Sequence, residues 1–267
     1  MTLDDPWPQG PRALKNADAI KMRHALRADP HIAPLASYVD ALRAENRGYV
    51  PDFDPMDGGI DAEILFLFEK PGPKTDPANG GSGFISRDND DPSAEATYRF
   101  TELAQVPRRA SVIWNTIPWW NGTTKVSPLE CSEGMLRLSE LLRMLPYLRS
   151  VVLVGNNAKK ARSVVESTGV QVFESAHPSA RVRGANRRLW DQIPHQWRRA
   201  YQACHTKFVY TADSNLSVEA KLSEDATSQQ TLLERVRAAQ ARYEAALAEY
   251  EAAWAELRQF QGEGDEQ

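Results

Sequence analysis

Four short segments with strand character, each followed by a segment with helix character, limit most strongly how this chain can fold. They span residues 63–68, 110–117, 150–154 and 170–174, and the first is almost wholly apolar, as in a strand buried on both faces. Strands that alternate with helices favour a parallel sheet that is covered on both faces. We therefore predict an α/β fold for residues 1–210, a three-layer sandwich with a central four-stranded parallel sheet flanked by helices.

Local signals at the helix ends support this assignment. Asp91 precedes Pro92, which is the usual order of an N-cap and a first helical residue. Ser127 and Glu130 have the spacing of a capping box, in which each side chain caps the backbone of the other residue. The predicted helices span residues 12–28, 34–45, 92–105, 128–145, 155–169 and 184–204.

Residues 211–267 differ in kind from the rest of the chain. They hold 12 acidic and 5 basic residues, which leaves the first 210 residues with 24 acidic and 27 basic ones. A polar linker, residues 212–228, precedes two apolar series with heptad spacing that predict a long, coiled-coil-like C-terminal helix: Leu232, Ala239, Ala246, Ala253 and Phe260, and Val236, Tyr243, Tyr250 and Leu257. This helix could pack on its own body, or it could mediate self-association or bind a protein partner.

The composition excludes several classes of protein. No apolar run approaches the roughly 18–20 residues of a membrane span, and the acidic, proline-containing N-terminus is not a secretory signal. Two cysteines, Cys131 and Cys204, exclude a disulfide scaffold and a four-cysteine zinc or iron–sulfur site within one chain. We therefore expect a cytoplasmic protein with no membrane contact, no metal and no organic cofactor. The mildly basic body is compatible with DNA as a partner.

The residues that follow the predicted strands are the candidates for a site, because parallel α/β sheets bind ligands at the carboxyl ends of their strands. Residues 71–83 and 155–160 contain glycines, but they match neither G-x-x-x-x-G-K-[ST] nor G-x-G-x-x-G. A G-x-S-x-G nucleophile elbow is also absent from the chain. Three other segments remain: Glu69-Lys70-Pro71-Gly72 after the first strand, Asn115 at the end of the second, and His177-Pro178-Ser179 after the fourth.

In order and spacing, these segments and Phe84 resemble the uracil-DNA glycosylase superfamily, and the resemblance covers about residues 35–203. It implies an enzyme that flips a base out of the DNA stack and cleaves its N-glycosidic bond. It also implies a role for each segment. The loop from Glu69 to Gly72 positions the water and the sugar, with Pro71 and Gly72 beside the base. Phe84 stacks on the flipped base, Asn115 reads its edge, and His177 stabilises the departing base.

The first loop departs from the family pattern in ways that affect the chemistry. Lys70 stands where related enzymes have Asp or Asn, so the usual water-activating carboxylate is missing, and Glu69 could replace it as the base. Lys70 could itself attack the sugar to form a Schiff base, contact a phosphate, or form a salt bridge. Phe68 replaces the leading glycine of the motif and would alter the shape of the pocket. The cysteines of the iron–sulfur branches are missing, so we expect no cluster.

Gly72 bears on the choice of substrate. The uracil-strict branch has a bulky tyrosine at this place, which excludes substituents at the pyrimidine 5-position. Glycine could therefore admit an enlarged base, such as a glucosylated hydroxymethylcytosine of phage DNA. Alternatively, the turn alone could require glycine.

A strongly basic segment follows the His177 motif. Between residues 175 and 200, Asp191 is the only acidic residue. We expect DNA contacts, chiefly to phosphates, from residues at the start of this segment, although a solvated helix face would have the same composition. The expected contacts are Ser179, Arg181, Arg183, Arg187 and Arg188.

The sequence thus favours a DNA glycosylase that excises uracil or an enlarged 5-substituted pyrimidine, in repair or in defence against phage. Its partner would be single- or double-stranded DNA. The alternative is a catalytically silent nucleic-acid-binding module whose tail recruits other proteins. Formation of abasic sites distinguishes the two.

Overall fold

The computed structural model of the chain describes residues 9–205. These residues contain six strands and seven α-helices. The strands are β1 (Asp52–Phe53), β2 (Ile64–Phe68), β3 (Phe84–Ile85), β4 (Ser111–Asn115), β5 (Ser150–Val154) and β6 (Gln171–Ser175). The helices are α1 (Ala17–Ala25), α2 (Ala33–Ala44), α3 (Pro92–Leu103), α4 (Pro128–Arg143), α5 (Arg162–Glu166), α6 (Ala180–Ala185) and α7 (Arg187–His205). The predicted linker and C-terminal coiled-coil-like helix, residues 211–267, lie outside the described residues.

The central sheet consists of the four predicted strands, and all of its pairings are parallel. The order across the sheet is β4-β2-β5-β6. Phe66 of β2 lies between Ile113 of β4 and Val152 of β5, and all three side chains are buried. Because helices flank the sheet, its two inner strands, β2 and β5, are almost wholly apolar. The predicted α/β fold with a four-stranded parallel sheet is confirmed.

Helix α7 is anchored to the sheet by Trp197. This side chain is fully buried, and its ring centroid lies 4.6 Å from that of Phe66. Its Nε1 donates a hydrogen bond of 2.9 Å to Ser175 Oγ at the end of β6. Trp190, two turns earlier, is only half-buried and packs edge-on against Phe100 of α3. The helix therefore has one tryptophan in the core and one at its margin.

The helix-end signals have their expected partners. Asp91 caps α3, because its Oδ1 accepts a 2.9 Å hydrogen bond from the N–H of Ser93. Ser127 and Glu130 form the complete capping box at the start of α4. Among the described helices, none is both long and apolar enough to cross a bilayer.

Two regions differ from the sequence prediction. β1 and β3 form a parallel pair, with Asp52 beside Phe84, in segments where the sequence predicted no strand. Two residues per strand are too few to leave an apolar pattern in a sequence. Residues 155–169 do not form one helix: Gly155 has a φ of +88°, and a 3₁₀ turn, Ala158–Ala161, precedes the short α5. A left-handed residue cannot continue a helix, so the chain turns sharply on leaving β5.

A buried ionic cluster joins the N-terminal part of the chain to the sheet. Its members, which we call the Arg–Asp cluster, are Arg23, Arg87, Arg108, Asp54, Asp57 and Asp88. Arg108 pairs with all three carboxylates at 2.7, 2.9 and 3.0 Å, and Arg23 of α1 pairs with Asp54 and Asp88. Equal numbers of opposite charges leave no formal net charge on the cluster, which buried ions require.

Candidate functional site

The strand order places a crevice at the carboxyl edge of the sheet. From β2 the chain moves outward to β4, and it then returns across β2 to reach β5 on the other side. Loops that leave neighbouring strands in opposite directions diverge, and ligands of α/β sheets bind in the resulting opening. A cavity of 260 Å³ lies at this edge, between the ends of β2 and β4, helix α3 and the segment after β6. We call it the carboxyl-edge cavity.

Asn115 brings an unpaired amide to this cavity. It is the last residue of β4, it lines the cavity, and only 5% of its surface is exposed. The backbone beyond it is fixed to β2, because Thr116 N–H donates to Phe68 O at 2.8 Å and Ile117 N–H donates to Glu69 O at 2.7 Å. Its side-chain amide has no hydrogen-bond partner in residues 9–205, so it offers a donor and an acceptor to a ligand.

His177 lines the same cavity from the segment after β6. Its Nδ1 is buried and has no hydrogen-bond partner in the described part of the chain. Burial lowers the pKa of the imidazole, and the negative charge of Asp91 opposes this only in part. The ring is therefore neutral at pH 7 and can present one N–H donor.

Two neighbours fix the position of the His177 ring. Phe68 meets it edge-on, with ring centroids 5.4 Å apart. A Cβ on Gly155 would lie 3.2 Å from the Cβ of His177, which is tighter than ordinary packing. Because Gly155 in the turn after β5 has no side chain, His177 can lie close to it.

Pro71 and Gly72 of the first loop line the cavity, and the backbone at Gly72 bears on the two explanations of the glycine. Gly72 has φ −91° and ψ 170°, which any residue adopts. A Cβ built there meets no atom within 4 Å. The turn does not require glycine, so the missing side chain leaves open space at the cavity.

Lys70 is committed to an ion pair. Its Nζ donates to Glu130 Oε1 at 2.8 Å, to Asn121 Oδ1 at 2.8 Å and to the carbonyl oxygen of Lys125 at 3.2 Å. These acceptors occupy all three protons of the ammonium group, and only 3% of the side chain is exposed. Of the three roles considered for Lys70, this geometry favours the salt bridge and disfavours both a Schiff-base nucleophile and a phosphate contact.

Glu69 lies beside the cavity rather than in its wall. Its Oε2 accepts a 2.8 Å hydrogen bond from the Nδ2 of Asn157, in the turn after β5. It is not among the residues that line the cavity. In this arrangement Glu69 connects two neighbouring strand ends, and a role as base would require it to turn inward.

Phe84 is not in the cavity. It is completely buried in β3, packs with Leu14 and Ala19, and its ring centroid lies 4.5 Å from that of His24. Its place beside the cavity had been inferred from motif order, which does not report the direction of a side chain. The aromatic ring that does line the cavity is Phe68, the residue that replaces the leading glycine of the motif.

Three charged residues of the cavity, Arg87, Asp91 and Lys74, were not among the predicted site residues. Arg87 belongs to the Arg–Asp cluster. Asp91, which the sequence predicted as a helix cap, is the only carboxylate among the described residues that line the cavity. One of its oxygens caps α3 and no hydrogen bond to the other is found in residues 9–205. Lys74 lines the cavity and is exposed, with no ion pair within the same range. The capping pattern identified Asp91, but only the fold brings it to the same cavity as the histidine.

The predicted DNA-contacting residues lie on α6 and the start of α7. Ser179 caps α6, because its Oγ accepts the N–H of Val182 at 3.4 Å. The four arginines are all exposed. Arg187 pairs with Asp191 at 2.9 Å, and the Arg183 guanidinium lies 5.8 Å from the ring centre of Trp190. The remaining two, Arg181 and Arg188, have no ion-pair partner in the described residues.

Residues 9–205 contain no group of three or more His, Cys, Asp or Glu side chains arranged to hold a metal ion. Comparison with protein-family models and with curated proteins finds no match to this chain. The site is therefore characterised by its own chemistry: a largely apolar cavity lined by the amide of Asn115, the imidazole of His177, the carboxylate of Asp91 and three cationic residues, Lys70, Lys74 and Arg87.

Proposed function

We propose that this chain is a DNA glycosylase that binds a flipped, modified pyrimidine in the carboxyl-edge cavity and hydrolyses its N-glycosidic bond. One observation carries the proposal: Asn115 and His177 line one cavity, and the buried Nδ1 of His177 has no hydrogen-bond partner within residues 9–205. Buried polar groups are normally hydrogen-bonded, so such groups in a cavity are suited to a polar ligand. Apolar walls from Phe68, Pro71 and Ile113 suit the faces of a flat ring.

Recognition of the base falls to Asn115 and Phe68. The amide donates one hydrogen bond and accepts another, which matches the edge of uracil in one orientation and that of cytosine in the other. Phe68 offers the aromatic contact that the motif order had assigned to Phe84. A neutral pyrimidine is thus selected by shape and by two hydrogen bonds.

Cleavage needs stabilisation of the base as it departs with the electron pair of the C1′–N bond. The neutral imidazole of His177 donates a hydrogen bond to the developing oxyanion of the base, as an oxyanion hole does. Water forms the new bond to C1′ and loses its proton, and the products are an abasic sugar and the free base. Asp91 is the carboxylate that we assign to accept that proton, because it is the only one among the described residues that line the cavity.

The class of base follows from the open space at Gly72. Since no side chain fills it and the backbone does not require glycine, a 5-substituent can extend there. Lys74 at the cavity supplies the exposed cation for a flanking phosphate, the role that Lys70 cannot take.

The test uses the full chain and DNA that contains uracil, 5-hydroxymethylcytosine or glucosylated 5-hydroxymethylcytosine. Alkali-labile abasic sites are scored for the wild type, for His177→Gln and for the matched control His195→Gln, an exposed histidine of α7. We expect abasic sites on at least one substrate, a rate about a hundredfold lower in His177→Gln, and an unchanged rate in the control.

Other outcomes lead elsewhere. Strand breaks without alkali would reinstate a Schiff-base lysine. DNA binding without abasic sites on any substrate would reject the glycosylase and favour the silent binding module. The supporting observations for that module are the ion-paired Lys70 and the bond of Glu69 to Asn157, outside the cavity wall.

A further inference from the structure

A second concave surface lies on the other side of helix α3. It has a volume of 470 Å³ and is formed by α3, residue Arg12, α6 and the start of α7. Its floor is aromatic, with Trp190 packed edge-on against Phe100 at a centroid distance of 4.9 Å. We call it the α3–α7 groove.

The groove and the carboxyl-edge cavity share two walls. Ser93 and Thr97 of α3 line the cavity, whereas Ala96 and Arg99 of the same helix line the groove. After β6, His177 lines the cavity, and Arg183 of the short helix α6 lines the groove. A polymer held at the cavity can therefore continue into the groove across the first turn of α3.

The charges of the groove favour an anionic polymer. Arg12, Arg99 and Arg183 line it, against the single carboxylate of Glu95. Glu95 is shared between Arg12 and Arg99, with a distance of 2.8 Å to each, and 63% of the Arg99 side chain is exposed. Exposed Arg181 and Arg188 lie on the adjoining helices. Closely spaced cations beside an aromatic side chain are the elements of a single-strand nucleic-acid site.

We propose that the α3–α7 groove binds the unpaired nucleic-acid strand that flanks the nucleotide held in the cavity. Arg99 and Arg183 contact its phosphates, and an unpaired base stacks on Trp190. This inference rests on the proposed function for the nature of the polymer, but it concerns binding and requires no excision.

The test measures the affinity of the full chain for fluorescein-labelled oligo-dT, single-stranded or annealed to oligo-dA, by fluorescence anisotropy over a range of salt. The groove variants are Arg99→Gln, Arg183→Gln and Trp190→Leu, and melting temperatures verify that each is folded. The matched control is Arg149→Gln, which removes an exposed arginine just before β5, at the opposite edge of the sheet.

We expect each arginine variant to reduce the slope of log K against log salt by about 0.7 on the single strand. Trp190→Leu should weaken single-strand binding about tenfold and leave duplex binding unchanged, because only an unpaired base can stack. Arg149→Gln should bind as the wild type does.

Unchanged single-strand affinity in all three groove variants would overturn the proposal. So would an equal loss on single strand and duplex in Trp190→Leu, since a purely structural role has that effect. Loss of binding to a poly-glutamate peptide, with DNA binding intact, would assign the groove to an acidic polypeptide instead. Because no step requires cleavage, a groove that binds DNA in a protein that makes no abasic sites would separate this inference from the proposed function.

Discussion

Adding a side chain at Gly72 should change which bases the protein excises. The site has ordinary backbone angles and open space, so a larger residue can be added without strain. We expect Gly72→Tyr to fold normally, to keep any activity on uracil, and to lose at least tenfold of its rate on a 5-substituted cytosine.

Excision of each base by Gly72→Tyr, with melting temperature as a second readout, checks this prediction. Gly184→Tyr is the matched control, because Gly184 of α6 is exposed and its added Cβ also meets no atom within 4 Å. Equal loss on uracil and on the modified base would show that the cavity does not discriminate at this position.

For single residues, the sequence predicted which side chains line the cavity better than it predicted the role of each one. Asn115 and His177 were identified because strand ends of a parallel sheet converge. The place of Phe84 was predicted wrongly because the direction of a side chain is a property of the fold. Lys70 does line the cavity, but its partner Glu130 lies 60 positions away on α4, and no local pattern links the two residues.

At the scale of secondary-structure elements, the Lys70–Glu130 ion pair joins the loop after β2 to the start of α4. Burial by itself raises the pKa of Glu130, but hydrogen bonds from Lys70, the Ser127 N–H and Trp119 outweigh it and lower the pKa to about 2. A carboxyl whose pKa falls on folding contributes stability that is complete above its unfolded pKa. That contribution is lost as the pH falls towards the folded pKa.

We therefore expect acid to weaken this junction. Between pH 5 and pH 3 the wild type should lose about 2 kcal/mol more unfolding free energy than Glu130→Gln, which keeps the capping box without the charge. Urea unfolding at each pH measures the difference. Glu140→Gln, on the same helix with 40% of its side chain exposed, should follow the wild type, and if Glu130→Gln does so too the pair contributes nothing to acid sensitivity.

The elements themselves were predictable to the extent that apolar periodicity reports burial. Apolar pattern predicted the four sheet strands, and capping residues predicted the starts of α3 and α4. The pair β1–β3 was missed because its backbone pairing involves two residues on each side. The predicted helix after β5 was too long, because the helical signal of residues 158–166 hid the left-handed turn at Gly155.

In the whole molecule, the Arg–Asp cluster holds the N-terminal helix to the loops before and after the short strands. Removing Arg23 leaves three buried carboxylates with only two arginines, Arg87 and Arg108, and this uncompensated buried charge costs far more than losing a surface pair. We expect Arg23→Met to lower the free energy of unfolding by about 3–5 kcal/mol. The surface variant Arg162→Met should lower it by about 1 kcal/mol at most.

Chemical denaturation of both variants tests this prediction. A loss in Arg23→Met no greater than that in Arg162→Met would mean that the cluster is not a structural junction. The sequence contained the arginines and aspartates of the cluster but no sign of their convergence, since they come from four separate stretches of the chain.

The position of β2 at the centre of a wholly parallel sheet also sets the order of events during synthesis. β2 has no hairpin partner, and its hydrogen bonds go to strands that begin at Ser111 and Ser150. Until those residues leave the ribosome, the segment Ile64–Phe68 has neither of its two sheet neighbours. Pairings this distant in sequence form slowly, and an exposed apolar segment of this kind associates readily with other chains. The strand that places the candidate site is thus the part of the nascent chain most in need of a chaperone.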